Sequence, residues 1–142
     1  MTKSPGRAIW PDTMTRQPIP LALAPAIAAG DFVFVTGMTG STPDGSMPGD
    51  PETQYRAAFA KIDTILRADG LDLSHIVEMT SYHIDIQSTF DAFAAVQAEL
   101  MQAARPAWTA IGIAQLRRPG ALVEIKVTAY RGSNAPDRKA LP

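Results

Sequence analysis

The sequence predicts a two-layer α/β sandwich, a mainly antiparallel sheet with two helices packed on one face. Three observations carry this expectation. Strand-like and helix-like segments follow one another as β, α, β, α, β, β, which two layers accommodate with short connections. Each of the two helical segments carries one apolar stripe, so each buries one side. The last strand segment alternates between apolar and polar residues, so one of its faces is built to be covered.

Residues 1–18 carry Pro5, Gly6, Pro11 and Pro18 without any period and read as an N-terminal arm, ordered only where it packs. Phe32-Val33-Phe34-Val35-Thr36 is a β-branched and aromatic run bounded by Gly30-Asp31 and Gly37, which predicts a central strand. Between 38 and 50, Gly40, Gly45, Gly49, Pro43 and Pro48 predict a loop with a turn at Pro43-Asp44-Gly45. Asp50-Pro51-Glu52 then marks a helix start: a capping carboxylate, a proline at the first helical position and an acid in the first turn. Tyr55, Ala58, Phe59, Ile62, Ile65 and Leu66 follow at the spacing of one helical face, and Gly70 suits the C-terminal end.

Ile76 to Ile86 predicts a long strand. Ser88-Thr89-Phe90-Asp91 resembles a capping box that opens a second helix, with Phe90, Phe93, Val96 and Leu100 on its buried face and Pro106 as its stop. Two closing strands are expected, about Ala107 to Ala114 and Ala121 to Tyr130, joined through the turn Arg118-Pro119-Gly120. In the last one, Val123, Ile125, Val127 and Ala129 share a face, and Glu124, Lys126, Thr128 and Tyr130 share the other. Trp108, Ala110 and Gly112, on one side of the preceding strand, are expected to make that second face too apolar for water alone, so another surface should cover part of it. Residues 19–131 thus form one domain, and 132–142 read as a flexible tail.

Composition narrows the function. A chain of 142 residues with 46% hydrophobic and 19% charged residues supports one ordinary core. Its net charge of −1 offers no basic excess for a phosphate backbone, so no nucleic-acid partner is expected. Without cysteine there is no disulfide, no thiolate metal site and no cysteine nucleophile. No apolar run approaches the roughly 20 residues of a membrane span, and Leu21–Ala29 is interrupted by Pro25. A cytoplasmic protein with no membrane partner is expected. His75 and His83 are the only histidines and lack clustered carboxylates at ligand spacing, so neither metal nor cofactor is expected. Thr36-Gly37-Met38-Thr39-Gly40 lacks the Gly-Lys-Ser/Thr ending of a phosphate loop. Gly37 instead lets backbone approach a cleft.

Four stretches stand out together: Pro25 through Gly37; Ile65-Leu66-Arg67-Ala68-Asp69-Gly70 with Leu73-Ser74-His75-Ile76-Val77; Met79-Thr80-Ser81-Tyr82 leading to Phe90; and Arg105-Pro106-Ala107 through Leu116 with Gly120 through Ile125. In this order and spacing they resemble the RidA (YjgF) family over residues 19–131. The resemblance implies a chorismate-mutase-like fold, a homotrimer, and three ligand clefts between subunits. It also implies hydrolysis of enamines and imines of amino acids to 2-keto acids and ammonia. In such members an arginine after Pro-Ala clamps the substrate carboxylate by two parallel charge-assisted bonds. A glutamate on the last strand positions or activates water.

Here Glu124 keeps the glutamate, while Trp108 stands at the arginine position. The aromatic residue before the opening strand is Leu23, the glutamine after Ser-Gly is Met38, the asparagine of the second helix is Ala94, and the cysteine past the arginine is Ala110. Every one of these departures removes a polar or aromatic group, which implies a more apolar cleft with altered specificity. The resemblance therefore assigns Glu124 a catalytic role and Trp108, Leu23, Gly37, Met38, Ala94 and Ala110 a ligand-binding one. Plainer readings stand beside it. Glu124 is also what a solvated carboxylate paired with Lys126 looks like, and Trp108 can be an aromatic floor or simple filling. Arg105, Arg117 and Arg118 lie close in sequence and read better as surface arginines than as a replacement clamp. The two functional classes are an enzyme acting on imines, enamines or related carbonyl compounds, and a non-catalytic small-molecule-binding trimer. A ribonuclease, an old label on parts of the family, is disfavoured by the charge and by the lack of a histidine pair.

Overall fold

The computed structural model describes residues 5–14, 21–102 and 104–132; the predicted 132–142 tail lies almost wholly outside them. The strands are β1 (Arg7–Ile9), β2 (Ala26–Ala29), β3 (Phe32–Met38), β4 (Ile76–Ile84), β5 (Ala107–Ile113) and β6 (Val123–Tyr130). The helices are α1 (Pro51–Arg67) and α2 (Ile86–Met101), with a single 3-10 turn at Leu73–His75. One sheet runs in the order β1-β2-β3-β6-β4-β5. All neighbours are antiparallel except β4 and β5, which run parallel because α2 crosses between them. The predicted two-layer sandwich is the fold observed.

α1 starts as its sequence dictates. The Asp50 carboxylate accepts from the Thr53 N–H at 2.9 Å, and Pro51 occupies the first turn. Its stripe of Tyr55, Phe59, Ile62, Ile65 and Leu66 is fully buried against Val33, Val35 and Ile125 of the sheet, with Phe93 of α2 closing the core. Gln54, also buried, fastens the loops around the helix. Its amide donates to the carbonyls of Pro48 at 2.6 Å and Gly120 at 3.0 Å, and its oxygen accepts from the Leu122 N–H at 2.8 Å. The turn at Pro43-Asp44-Gly45 forms as expected, with the Gly45 N–H bonded to the Thr42 carbonyl and Gly45 at φ +88°.

The arm is ordered where it packs: Arg7–Ile9 pairs with β2 as an edge strand and buries Ile9. Two expectations need correction. β4 ends at Ile84 rather than Ile86, and α2 begins there, not at Ser88. Asp85 takes the left-handed conformation at φ 52° and turns the chain abruptly into the helix, without a side-chain cap bond. Trp108, Ala110 and Gly112 do not share the face of Glu124. A Cβ on Gly112 would lie 2.7 Å from the Ile86 side chain, so this side of β5 faces α2. The outer sheet face is apolar for another reason: Phe32 and Phe34 of β3 are 41% and 44% exposed, and Phe32 lies 5.4 Å, centre to centre, from Tyr130.

Candidate functional site

The residues expected to form one site fall into two groups on opposite faces of the sheet. The first surrounds Trp108. Its indole stacks on Phe90 of α2 with ring centres 5.4 Å apart and leans on Phe93 at 5.8 Å. Its N–H donates to the Ser81 hydroxyl at 2.8 Å. Ser81 Oγ in turn lies 2.7 Å from His83 Nε2, and both residues are completely buried. Trp108 is therefore held by stacking on one side and by a hydrogen-bond relay on the other. Ala110 is half-buried on the same face, and Ala94 lies on α2 beside Phe93. Trp108 and Pro106 wall an open cleft of about 260 Å³ with Gln97 and Ala98 of α2. Arg105, exposed, stands at its lip, whereas Arg117 is not among its walls.

Sequence reasoning singled out Trp108 but not the Ser81–His83 relay that fixes it. The available signal was their two-residue spacing on β4, which puts both on the face of Met79. Asp85, two residues further on, does not join them, because the left-handed turn carries it to the surface. His83 Nδ1 has no hydrogen-bond partner among the described residues. Burial pushes the His83 pKa down, so the folded protein holds a neutral imidazole. The unfolded chain, with the ordinary value near 6.5, binds more protons just below that pH. Stability is thus full above about pH 6.5 and falls as pH drops toward the folded value of His83. Urea midpoints measured from pH 7.5 to 5 should decline in the parent and decline less in His83→Gln. Equal slopes would mean that His83 does not titrate on unfolding. Asp44, Asp50 and Asp72 are all held low by hydrogen bonds from neighbouring hydroxyls, so their contributions are lost in a more acidic window.

The second group lies on the outer face. Glu124 of β6 is half-buried and pairs across the sheet with Tyr82 of β4. A Cβ on Gly37 would sit 3.0 Å from the Glu124 carboxyl carbon, so any larger residue would press on that carboxylate and push it aside by a few tenths of an ångström. Leu23 is 44% exposed, in a segment tied to β3 by the Thr36 hydroxyl donating to the Ala24 carbonyl at 2.6 Å. Met38, the neighbour of Gly37, packs against the core instead. Among the described residues no cluster of three histidines, aspartates or glutamates is placed to hold a metal. No helix among them is long and apolar enough to cross a membrane.

Residues 17–131 match the family profile described as Endoribonuclease L-PSP. The RutC family protein YjgH of Escherichia coli is 38% identical over 105 residues, spanning 73% of this chain and 79% of that one. A 2-iminobutanoate/2-iminopropanoate deaminase of Capra hircus is 30% identical over 118 residues, covering 80% and 85% of the two chains. Among solved structures, a YjgH protein superposes with a TM-score of 0.81 at 32% identity, over 92% of this chain and 99% of that one. A Mycobacterium tuberculosis member of the YjgF family does so with a TM-score of 0.70 at 31% identity, over 78% and 87%. A profile match across most of the chain, relatives of this similarity and a shared fold lead to one conclusion: the chain belongs to the RidA/YjgF family.

Proposed function

We propose that this protein is a cytoplasmic, RidA-like small-molecule enzyme that hydrolyses imines, enamines or related carbonyl compounds, with specificity turned away from carboxylate-bearing substrates. The observation that carries the altered specificity is the anchoring of Trp108. Its indole, stacked on Phe90 and bonded to Ser81, presents an aromatic wall where a guanidinium would be needed to bind a carboxylate. The support for the reaction class is the similarity to the caprine deaminase. In the proposed reaction, water oxygen adds to the imine carbon, the carbon–nitrogen bond breaks, and the nitrogen leaves as ammonia. Glu124 carries the proton of the attacking water to the nitrogen, and then carries the hydroxyl proton of the resulting carbinolamine to the nitrogen as it departs and the carbonyl forms. Gly37 keeps the space beside that carboxylate open.

Glu124 and Trp108 face opposite sides of one chain's sheet, so a single chain does not bring them together. This favours a homotrimer, in which the outer face of one subunit meets the β5 edge of the next and Trp108, Ala94 and Ala110 complete a cleft containing Glu124, Leu23 and Gly37. The exposed Phe32 and Phe34 and the half-buried Tyr130 fit a face buried on assembly. Light scattering at micromolar concentration should give three times the chain mass; a monomer would overturn the shared cleft.

The alternative is a non-catalytic small-molecule-binding trimer, favoured by the apolar wall at Trp108. Ammonia release from 2-iminobutanoate separates the two. The protein should turn it over more than tenfold more slowly than relatives bearing the arginine, since a charge-assisted hydrogen bond is worth roughly 1.5–3 kcal/mol. Equal rates would refute the altered specificity. Ligand saturation without product from any imine lacking a carboxylate would favour the binder.

A further inference from the structure

A second cleft, of about 670 Å³, opens between α1, the loop after β3 and the loop before β6. Its volume lies in the range that holds metabolite-sized ligands. None of Glu124, Trp108 and Arg105 lines it; Met38 does, from the end of β3. Two cations do so as well: Lys61, half-buried on α1, and Arg118. Lys61 Nζ donates to the Ser41 hydroxyl at 2.9 Å, and neither Lys61 nor Arg118 forms an ion pair among the described residues.

The carboxylate that lines the cleft is spoken for locally. Asp44 accepts from the hydroxyl and N–H of Ser46 at 2.7 and 3.0 Å and from the Thr42 hydroxyl. Two like charges thus face one concavity, whose other walls include Ser41 and Thr42 and the apolar Met14, Met38 and Ala60. Burial first, and the charge of Arg118 second, push Lys61 down to about 8. Holding an unpaired, half-desolvated ammonium beside a guanidinium is unfavourable until an anion joins them.

We propose that this cleft is a binding site for a small organic anion, an oxyanion head seated between Lys61 and Arg118 and an apolar body lying on Met14 and Met38. The shared chemistry of the head is a carboxylate or a phosphate. This site does not rest on the imine-hydrolysis reading, and probes that are not imines test it separately.

Isothermal titration with benzoate, phenyl phosphate and the neutral benzyl alcohol tests it on the full chain at pH 7. At least one of the two anions should bind tenfold or more tightly than the alcohol, and whichever binds better identifies the head group. Lys61→Gln and, separately, Arg118→Gln should each weaken that binding roughly tenfold. Arg118 is exposed, so its replacement leaves the fold intact even if Lys61→Gln does not. An anion also stabilises the charged lysine, so binding at pH 8.5 should draw a proton from the buffer. Titrations in two buffers of different ionisation heat read this uptake, which should vanish in folded Lys61→Gln. Equal binding of the alcohol, no binding of either anion at millimolar concentration, or parental affinity in Arg118→Gln would overturn the site.

Discussion

Phe93→Ala is expected to destabilise the protein by about 3–5 kcal/mol, the range for emptying a buried aromatic site. The ring is completely buried and belongs to several groups at once. It packs edge-on to Tyr55 at 5.3 Å and to His83 at 4.7 Å, stacks on Phe59 at 5.7 Å, and leans on Trp108 at 5.8 Å. It is also one of few fully buried side chains on α2, whose buried residues are Phe93, Val96 and Met101. Losing it removes the main bond between that helix and the sheet, and little nearby is free to collapse into the space. Thermal unfolding at fixed protein concentration should fall by roughly 10–20 °C. Tryptophan emission should shift to the red as Trp108 loses a wall. A shift of only a degree or two would mean that α2 is held by something other than Phe93.

The same residues show what was legible in the sequence. The apolar stripe of α1, its Asp50-Pro51 start and the alternation along β6 are local signals of 3.6 and 2 residues, and the structure follows them. The start of α2 was not legible, because apolar Ile84 and Ile86 continue the strand-like pattern across the turn. Only the left-handed Asp85 breaks it, and aspartate gives little warning of that conformation. The face of Trp108 was not legible either. Alternation groups Trp108 with Ala110 and Gly112, but β5 is an edge strand with both faces half-covered, so the pattern fits either orientation. The family resemblance supplied candidate site residues one at a time. It could not say that Trp108 would be tied to Ser81, nor that Glu124 would lie on the far side of the sheet. The cleft of Lys61 and Arg118 left no mark at all, since it forms where two loops and a helix converge from distant parts of the chain.

Trp108→Arg is expected to raise imine deaminase activity by tenfold or more, an effect set by the roughly 1.5–3 kcal/mol of one charge-assisted hydrogen bond to a carboxylate. The substitution restores the guanidinium at the position where arginine-bearing relatives are expected to hold the substrate. Ser81 Oγ, 2.8 Å from the indole nitrogen, stays behind as an acceptor that can orient the new side chain. Phe90, stacked on the indole, offers a ring face on which a guanidinium also stacks. The gain should stay below the full activity of such relatives. Leu23, Met38, Ala94 and Ala110 also differ from them, and a clamp works only when its surroundings hold it. A cost in stability is expected as well, because a half-buried indole is exchanged for a cation that is unpaired until substrate arrives. Trp108→Ala is the control. It opens the same space without supplying a charge, so it should not raise turnover of 2-iminobutanoate, whereas both variants should weaken apolar ligands. The comparison holds for variants shown by light scattering and circular dichroism to keep the parental assembly and fold. If folded Trp108→Arg releases ammonia no faster than the parent, or only as fast as Trp108→Ala, then Trp108 does not occupy the clamp position and the altered specificity has another source.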